Sequence, residues 1–132
     1  VSEMNEPLWW IRRWSAAEAP SPAAVDILGS RCRTTLDVFA EWSKALGFPG
    51  YFMHNWDSFE DCMFTVTRSA PLTVVIRDAA HLLADEPPRQ LSTLLDILTG
   101  VTGRPANPPA LLLLLDDTPD HLAALAERMT NA

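Results

Sequence analysis

A chain of 132 residues with 48% hydrophobic and 20% charged side chains has globular composition, which excludes a disordered or fibrous polymer. Its 10 Lys and Arg stand against 17 Asp and Glu, a formal charge of −7. That balance argues against a protein that grips a phosphate backbone, which needs cations, and suits a basic partner. Its two cysteines, Cys32 and Cys62, have no CxxC spacing and no neighbouring histidine, as in a reduced cytoplasmic protein rather than a disulfide framework or a zinc site.

In chain order, Leu8 to Trp14 reads as a short strand rich in tryptophan. The Leu8–Ile11 run is too short for a secretory core and is followed by Arg12 and Arg13. Ala19 to Pro22 is a proline-broken loop, and Ala24 to Leu28 a strand stopped by Gly29. Thr34 or Thr35 caps a helix with Asp37 in its first turn, a core stripe of Leu36, Phe39, Ala40, Ser43 and Leu46, and a stop at Gly47. Asn55 caps a second helix in which Trp56, Phe59, Cys62 and Met63 share one face. Pro71 introduces a buried strand, Leu72 to Ile76, and Ala79 to Leu83 supplies one or two helical turns. Pro87-Pro88 opens a helix with Leu91, Leu94, Leu95 and Leu98 inward and Gly100 near its end. Gly103 to Pro109 is an exposed connection, and Ala110 to Leu115, apolar on both faces, is a central parallel strand. Thr118-Pro119 starts a last helix through Leu122, Leu125 and Met129.

Strands interleaved with helices imply parallel crossovers. The expected fold is α/β: a small three-stranded parallel sheet flanked by helices, with an extra N-terminal strand-like segment and a C-terminal helix. One domain spans 1–132, made of an N-terminal extension (1–23), a core (24–115) and the C-terminal helix (116–132). The longest apolar run, Ala110 to Leu115, is far below the ~20 residues of a membrane span, so no membrane partner is expected.

Enzyme signatures are missing: the chain has no GxSxG, HExxH, P-loop or GxGxxG. His54, His81 and His121 lie in separate elements, and the cluster of His54, Asp57 and Asp61 lacks the paired His or Cys ligands of a metal site. The reading is of a non-enzyme without catalytic residues, metal or cofactor. A metal-assisted hydrolase at His54, Asp57 and Asp61 is the weaker alternative. Trp9, Trp10, Trp14 and Trp42 suit packing, because rings of this size bury most of their area. The segment from Phe48 to Met63 is richer in information. Asp57 and Asp61 at i and i+4 project from one helical face, and Glu60 thickens the charge. Tyr51 and Phe52 stand in the loop before the helix, where they can reach the surface. Rings beside clustered carboxylates suit a protein interface, although an acidic stripe is also how an ordinary solvated helix looks.

This segment resembles the barstar family, intracellular inhibitors of barnase-type ribonucleases. The family pattern is Leu-Pro-x-Tyr-Tyr-Gly-x-Asn-Leu-Asp-Ala-Leu-Trp-Asp-Cys-Leu. Phe48-Pro49-Gly50-Tyr51-Phe52 matches its opening, Asn55-Trp56-Asp57 its helix start, and Asp61-Cys62-Met63 its ending. The likeness runs from about Val25 to Leu115, and both the tryptophan-rich N-terminus and the final helix lie outside it. It implies a stoichiometric inhibitor of a small secreted guanyl-specific ribonuclease. In that role Asp61 enters the cationic active site, Asp57 is a second acidic contact, and Tyr51 packs on the catalytic histidine. The expected partner-binding set is Tyr51, Phe52, Asn55, Asp57, Glu60 and Asp61. The partner is then a ribonuclease or toxin nuclease with a basic site, with no direct binding of nucleic acid. An immunity protein or interaction module that neutralises another toxin domain is the alternative. Three departures stand out: Glu60 replaces the pattern's Trp, Met53 and His54 replace a Gly and an acidic residue, and Gly100 falls where the family's third long helix supplies an acid. Asp96, Asp85 and Glu86 are the candidate substitutes for that acid.

Overall fold

The computed structural model describes residues 10–15, 24–106 and 109–131. The elements are β1 (Ile11–Arg13), β2 (Val25–Leu28), α1 (Thr35–Leu46), α2 (Trp56–Ser69), β3 (Leu72–Arg77), α3 (Pro88–Thr102), β4 (Leu111–Asp116) and α4 (Pro119–Asn131). Single 3-10 turns lie at Gly29–Arg31 and Ala79–His81. All pairings are parallel, in the order β1-β4-β3-β2.

The sheet has four strands where three were expected. The added strand is the N-terminal segment, shorter than the Leu8–Trp14 reading, whose Leu8 and Trp9 lie outside the described residues. Leu113 N–H donates to the Trp10 carbonyl and Trp14 N–H to that of Leu115, each at 2.9 Å. β1 therefore occupies the free edge of β4, and this makes β4 central and explains its apolar composition. Leu111, Leu113 and Leu115 of β4, Val74 and Ile76 of β3, and Ile27 of β2 join Phe39, Trp42, Phe59, Met63, Leu94 and Leu98 in one buried cluster. On the sheet, Arg77 joins three strands and the end of β1. Its guanidinium pairs with Asp116 at 3.0 Å and Asp26 at 3.6 Å, and lies 4.6 Å from the centre of the Trp14 ring.

Caps set the helix ends. Thr34 Oγ1 accepts from Asp37 N–H at 3.2 Å, and left-handed Gly47 (φ 65°) closes α1. The core stripe of α1 differs from the expected one. Val38, Phe39 and Trp42 are buried, whereas Leu36 is 68% exposed and Ala40 also faces solvent. The two large rings turn the helix so that Leu36, in the first turn, points away from them. Gly100 does not end α3. Val101 and Thr102 continue it into the core, and Gly103 (φ 71°) caps it. A glycine is mandatory at Gly29, where a Cβ would sit 2.3 Å from the Asp78 carbonyl oxygen.

The C-terminal helix starts at Thr118, whose hydroxyl accepts from His121 N–H at 3.2 Å, and it clamps the Ala79–His81 turn. Arg128 donates to the carbonyls of Ala80 (2.9 Å) and Leu82 (2.7 Å), while Asp117 accepts from Ala80 N–H at 3.0 Å. Burial alone would push the Asp117 pKa up. Hydrogen bonds from the N–H groups of Ala80 and Thr118 and from His121 outweigh it and hold the carboxyl below its usual range. The unfolded chain then binds more protons in acid, so stability rises with pH. The contribution is complete above the ordinary carboxylate value of about 4 and is lost as pH falls through the lower folded value. Asp117→Asn should flatten the profile of urea midpoint against pH in that acid range. Parallel wild-type and variant profiles would exclude Asp117 as the source.

Candidate functional site

The loop from Phe48 to Asn55 and helix α2 form one rigid unit. Asn55 Oδ1 accepts from Ser58 N–H at 2.8 Å, and Ser58 Oγ accepts in return from Met53 N–H at 3.0 Å. Together the two bonds tie the loop to the first turn of α2. The Trp56 indole donates to Gln90 Oε1 at 2.8 Å, an oxygen that also accepts from the Thr35 hydroxyl at 3.2 Å. The start of α2 is thereby fixed to α3 and α1. Phe59, Cys62 and Met63 are fully buried on the inner face.

Of the expected binding residues, Tyr51, Asn55, Asp57, Glu60 and Asp61 are exposed. Phe52 is not a surface residue: it is 9% exposed and packs edge-on against Phe48 and Phe39, with ring centroids at 5.1 and 5.9 Å. The neighbours that bury it come from α1 and the α1–α2 connection. Phe52 instead anchors the loop, and its flanking residues Tyr51 and Met53 are 58% and 73% exposed. His54 holds a left-handed backbone (φ 53°) and stacks on Phe52 at 4.8 Å. Asn55 contributes as a cap rather than as a free polar contact, since its side-chain oxygen is engaged by Ser58.

Asp57, Glu60 and Asp61 line the outer face of α2, and among the described residues none of them forms an ion pair. Asp57 benefits from the positive end of the helix. Like charges at i, i+3 and i+4 otherwise cost the isolated helix a few tenths of a kcal/mol per pair. The fold gains nothing from this clustering, but it displays negative charge on a fixed frame. Phe64, one turn beyond Glu60 on the same side, is 39% exposed. The sequence reading did not single it out. Its signal was its absence from the inward Phe59-Cys62-Met63 stripe.

Most of the other candidate groups are engaged elsewhere. Asp85 accepts two hydrogen bonds from Arg33, at 2.8 and 3.0 Å, and these hold its carboxyl below the usual range. Glu86 accepts from Thr35 N–H at 2.7 Å at the start of α1. Of the three candidate acidic substitutes, Asp96 alone is exposed and unpaired among the described residues. His81 Nδ1 accepts from Arg33, and His121 bonds Asp117. Among the described residues no group of three His, Cys, Asp or Glu is placed to hold a metal ion, so His54, Asp57 and Asp61 do not converge as ligands. Burial, with Glu41 and Asp37 adding to it, pushes the Cys32 thiol up to about 12. Burial and the charge of Asp61 raise Cys62. Both are free thiols that serve as packing, not as nucleophiles. Among the described residues no helix is long and apolar enough to cross a membrane.

A comparison with curated proteins gives no match. The family model described as Barstar (barnase inhibitor) matches residues 23–113, which takes in β2 through the first half of β4 and the whole acidic face, and leaves out β1 and α4. The match covers more than half of the chain, and the chain belongs to the barstar (barnase inhibitor) family.

Proposed function

We propose that this protein is a stoichiometric inhibitor of a small secreted guanyl-specific ribonuclease, acting in the cytoplasm of the cell that makes the enzyme. The supporting observation is the outer face of α2, where Asp57, Glu60 and Asp61 stand exposed and unpaired beside exposed Tyr51. An enzyme that cleaves RNA needs a cationic cleft to hold phosphate. Carboxylates on a rigid helix satisfy the same donors by charge-assisted hydrogen bonds, with little ordering cost because the frame is already fixed. In this reading Asp61 enters the cleft, Asp57 binds at its edge, and Tyr51 covers the enzyme's catalytic histidine. Nothing is turned over and no cofactor takes part.

Titration into an assay of a susceptible ribonuclease should abolish cleavage near one-to-one stoichiometry. Association should slow as salt screens the steering charges. Full activity of a broad set of small microbial ribonucleases in excess protein would reject the proposal. That result would favour an immunity protein directed at another toxin domain. The surface ion pair of Asp85 with Arg33 and the hydrogen bond from Thr35 N–H to Glu86, together with Gly100, favour this second reading, because they leave only Asp96 of the three candidate acids free to replace the family's further acidic contact.

A further inference from the structure

We propose that Phe64 is the apolar anchor of this binding face and Glu60 its third charged contact. The partner is then a ribonuclease whose cationic cleft carries a basic group opposite Glu60 and an apolar rim one helical turn further on. This rests on the inhibitor reading above and specifies which target that site accepts. The interior of α2 is already filled by Phe59, Cys62 and Met63, so the core does not require a phenylalanine at position 64. Phe64 lies at i+7 from Asp57, i+4 from Glu60 and i+3 from Asp61, which places it on the same side of the helix as the carboxylates. Tyr51, Met53 and Phe64 are three of the five large hydrophobic side chains exposed among the described residues. Tyr51 and Met53 lie in the loop that leads into α2, and Phe64 lies on the helix itself.

Charge decides what covers this surface. The three carboxylates pair with no cation among the described residues, and Arg68 lies a further turn beyond Phe64. The start of this face is therefore negative, so it repels another acidic surface, a second copy of this chain included, and attracts a basic one. The family pattern carries Trp at position 60. Here that position is acidic, and the outward ring on α2 is Phe64, ~6 Å along the axis. A cleft shaped for a ring opposite position 60 would have to desolvate Glu60 without a partner, which is costly. A cleft with a cation there and an apolar patch beyond it satisfies both side chains. An exposed ring at the end of a charged stripe adds apolar area to a contact that charge alone would steer.

The test uses purified guanyl-specific microbial ribonucleases, barnase among them, against the full chain and its Phe64→Ala, Phe64→Tyr, Glu60→Gln and Asp61→Ala variants. For any enzyme that is inhibited, Phe64→Ala should raise Kd roughly tenfold, mainly through faster dissociation. Phe64→Tyr should stay within about threefold. Glu60→Gln should slow association severalfold at low salt and reduce its salt dependence. Glu60→Gln should leave the melting temperature unchanged, because that side chain is exposed, whereas Phe64→Ala should lower it slightly, because Phe64 is only 39% exposed. Phe64→Tyr, which keeps the ring, separates packing from binding. If Asp61→Ala loses inhibition while Phe64→Ala and Glu60→Gln match wild type, this proposal is wrong and the inhibitor reading survives. If the wild-type chain inhibits no enzyme, the inhibitor reading fails and takes the proposal with it.

Discussion

Asp61→Ala is expected to weaken inhibition of the target ribonuclease by roughly two to nearly four orders of magnitude while leaving the fold intact. The size follows from what truncation leaves behind. In the proposed complex the cationic groups of the cleft are desolvated, and removing their carboxylate strands them, at a cost of about 3–5 kcal/mol. The fold does not share this cost. Asp61 is exposed, and its carboxylate forms no ion pair among the described residues. Removing it relieves repulsion from Asp57 one turn earlier and lowers the charge that pushes up the Cys62 thiol. Stability should therefore stay constant or rise by a few tenths of a kcal/mol, so loss of binding cannot be ascribed to unfolding. Chemical denaturation and inhibition measured on one preparation check both halves. Unchanged inhibition would remove Asp61 from the contact.

The unequal success of reading this fold from sequence has a physical pattern. Features governed by neighbours along the chain were legible. Thr34, Asn55 and Thr118 cap their helices because each side chain reaches an N–H three residues ahead. The apolar runs at Leu72 and Leu111 became the two central strands for want of a polar face to expose. Features set by distant partners were not legible. Phe52 has the same local surroundings as exposed Tyr51, and only Phe39 and Phe48 decide that it turns inward. Leu36 fits a helical stripe as well as Val38 does, and the aromatic contacts of α1 select between them.

The acidic face divides in the same way. Its charge spacing is a property of one helix and was visible in the string of residues. The internal use of Asp85 and Glu86 was hidden, because Arg33 and Thr35 lie some 50 positions away in the chain. Exposure of Phe64 follows from the rotation of α2 against α3, which is set partly by the Trp56–Gln90 hydrogen bond. A residue at a binding surface is defined by what the fold does not use. That can be judged only after the inward contacts have been assigned.

The same reasoning makes the N-terminal segment a load on the core rather than an appendage, and Trp10→Ala measures it. Trp10 is 0% exposed and belongs to the main buried cluster, although it lies outside the region matched by the family model. Truncating a fully buried tryptophan forfeits its apolar burial and leaves a cavity that the surroundings fill only in part, together about 3–5 kcal/mol. Against a typical folding stability of about 5–15 kcal/mol, that is a large share. The loss should appear as a lower urea midpoint in one cooperative transition, because β1 is hydrogen-bonded to β4 at the centre of the sheet. Trp10→Phe supplies the control. The Trp10 indole N–H has no hydrogen-bond partner among the described residues, and an unsatisfied buried donor costs about 1–3 kcal/mol. Phenylalanine keeps a ring in the site and removes that donor, so its loss should be well below that of alanine. A midpoint unchanged in Trp10→Ala would show that β1 frays away without cost, and the sheet would then depend on its other three strands alone.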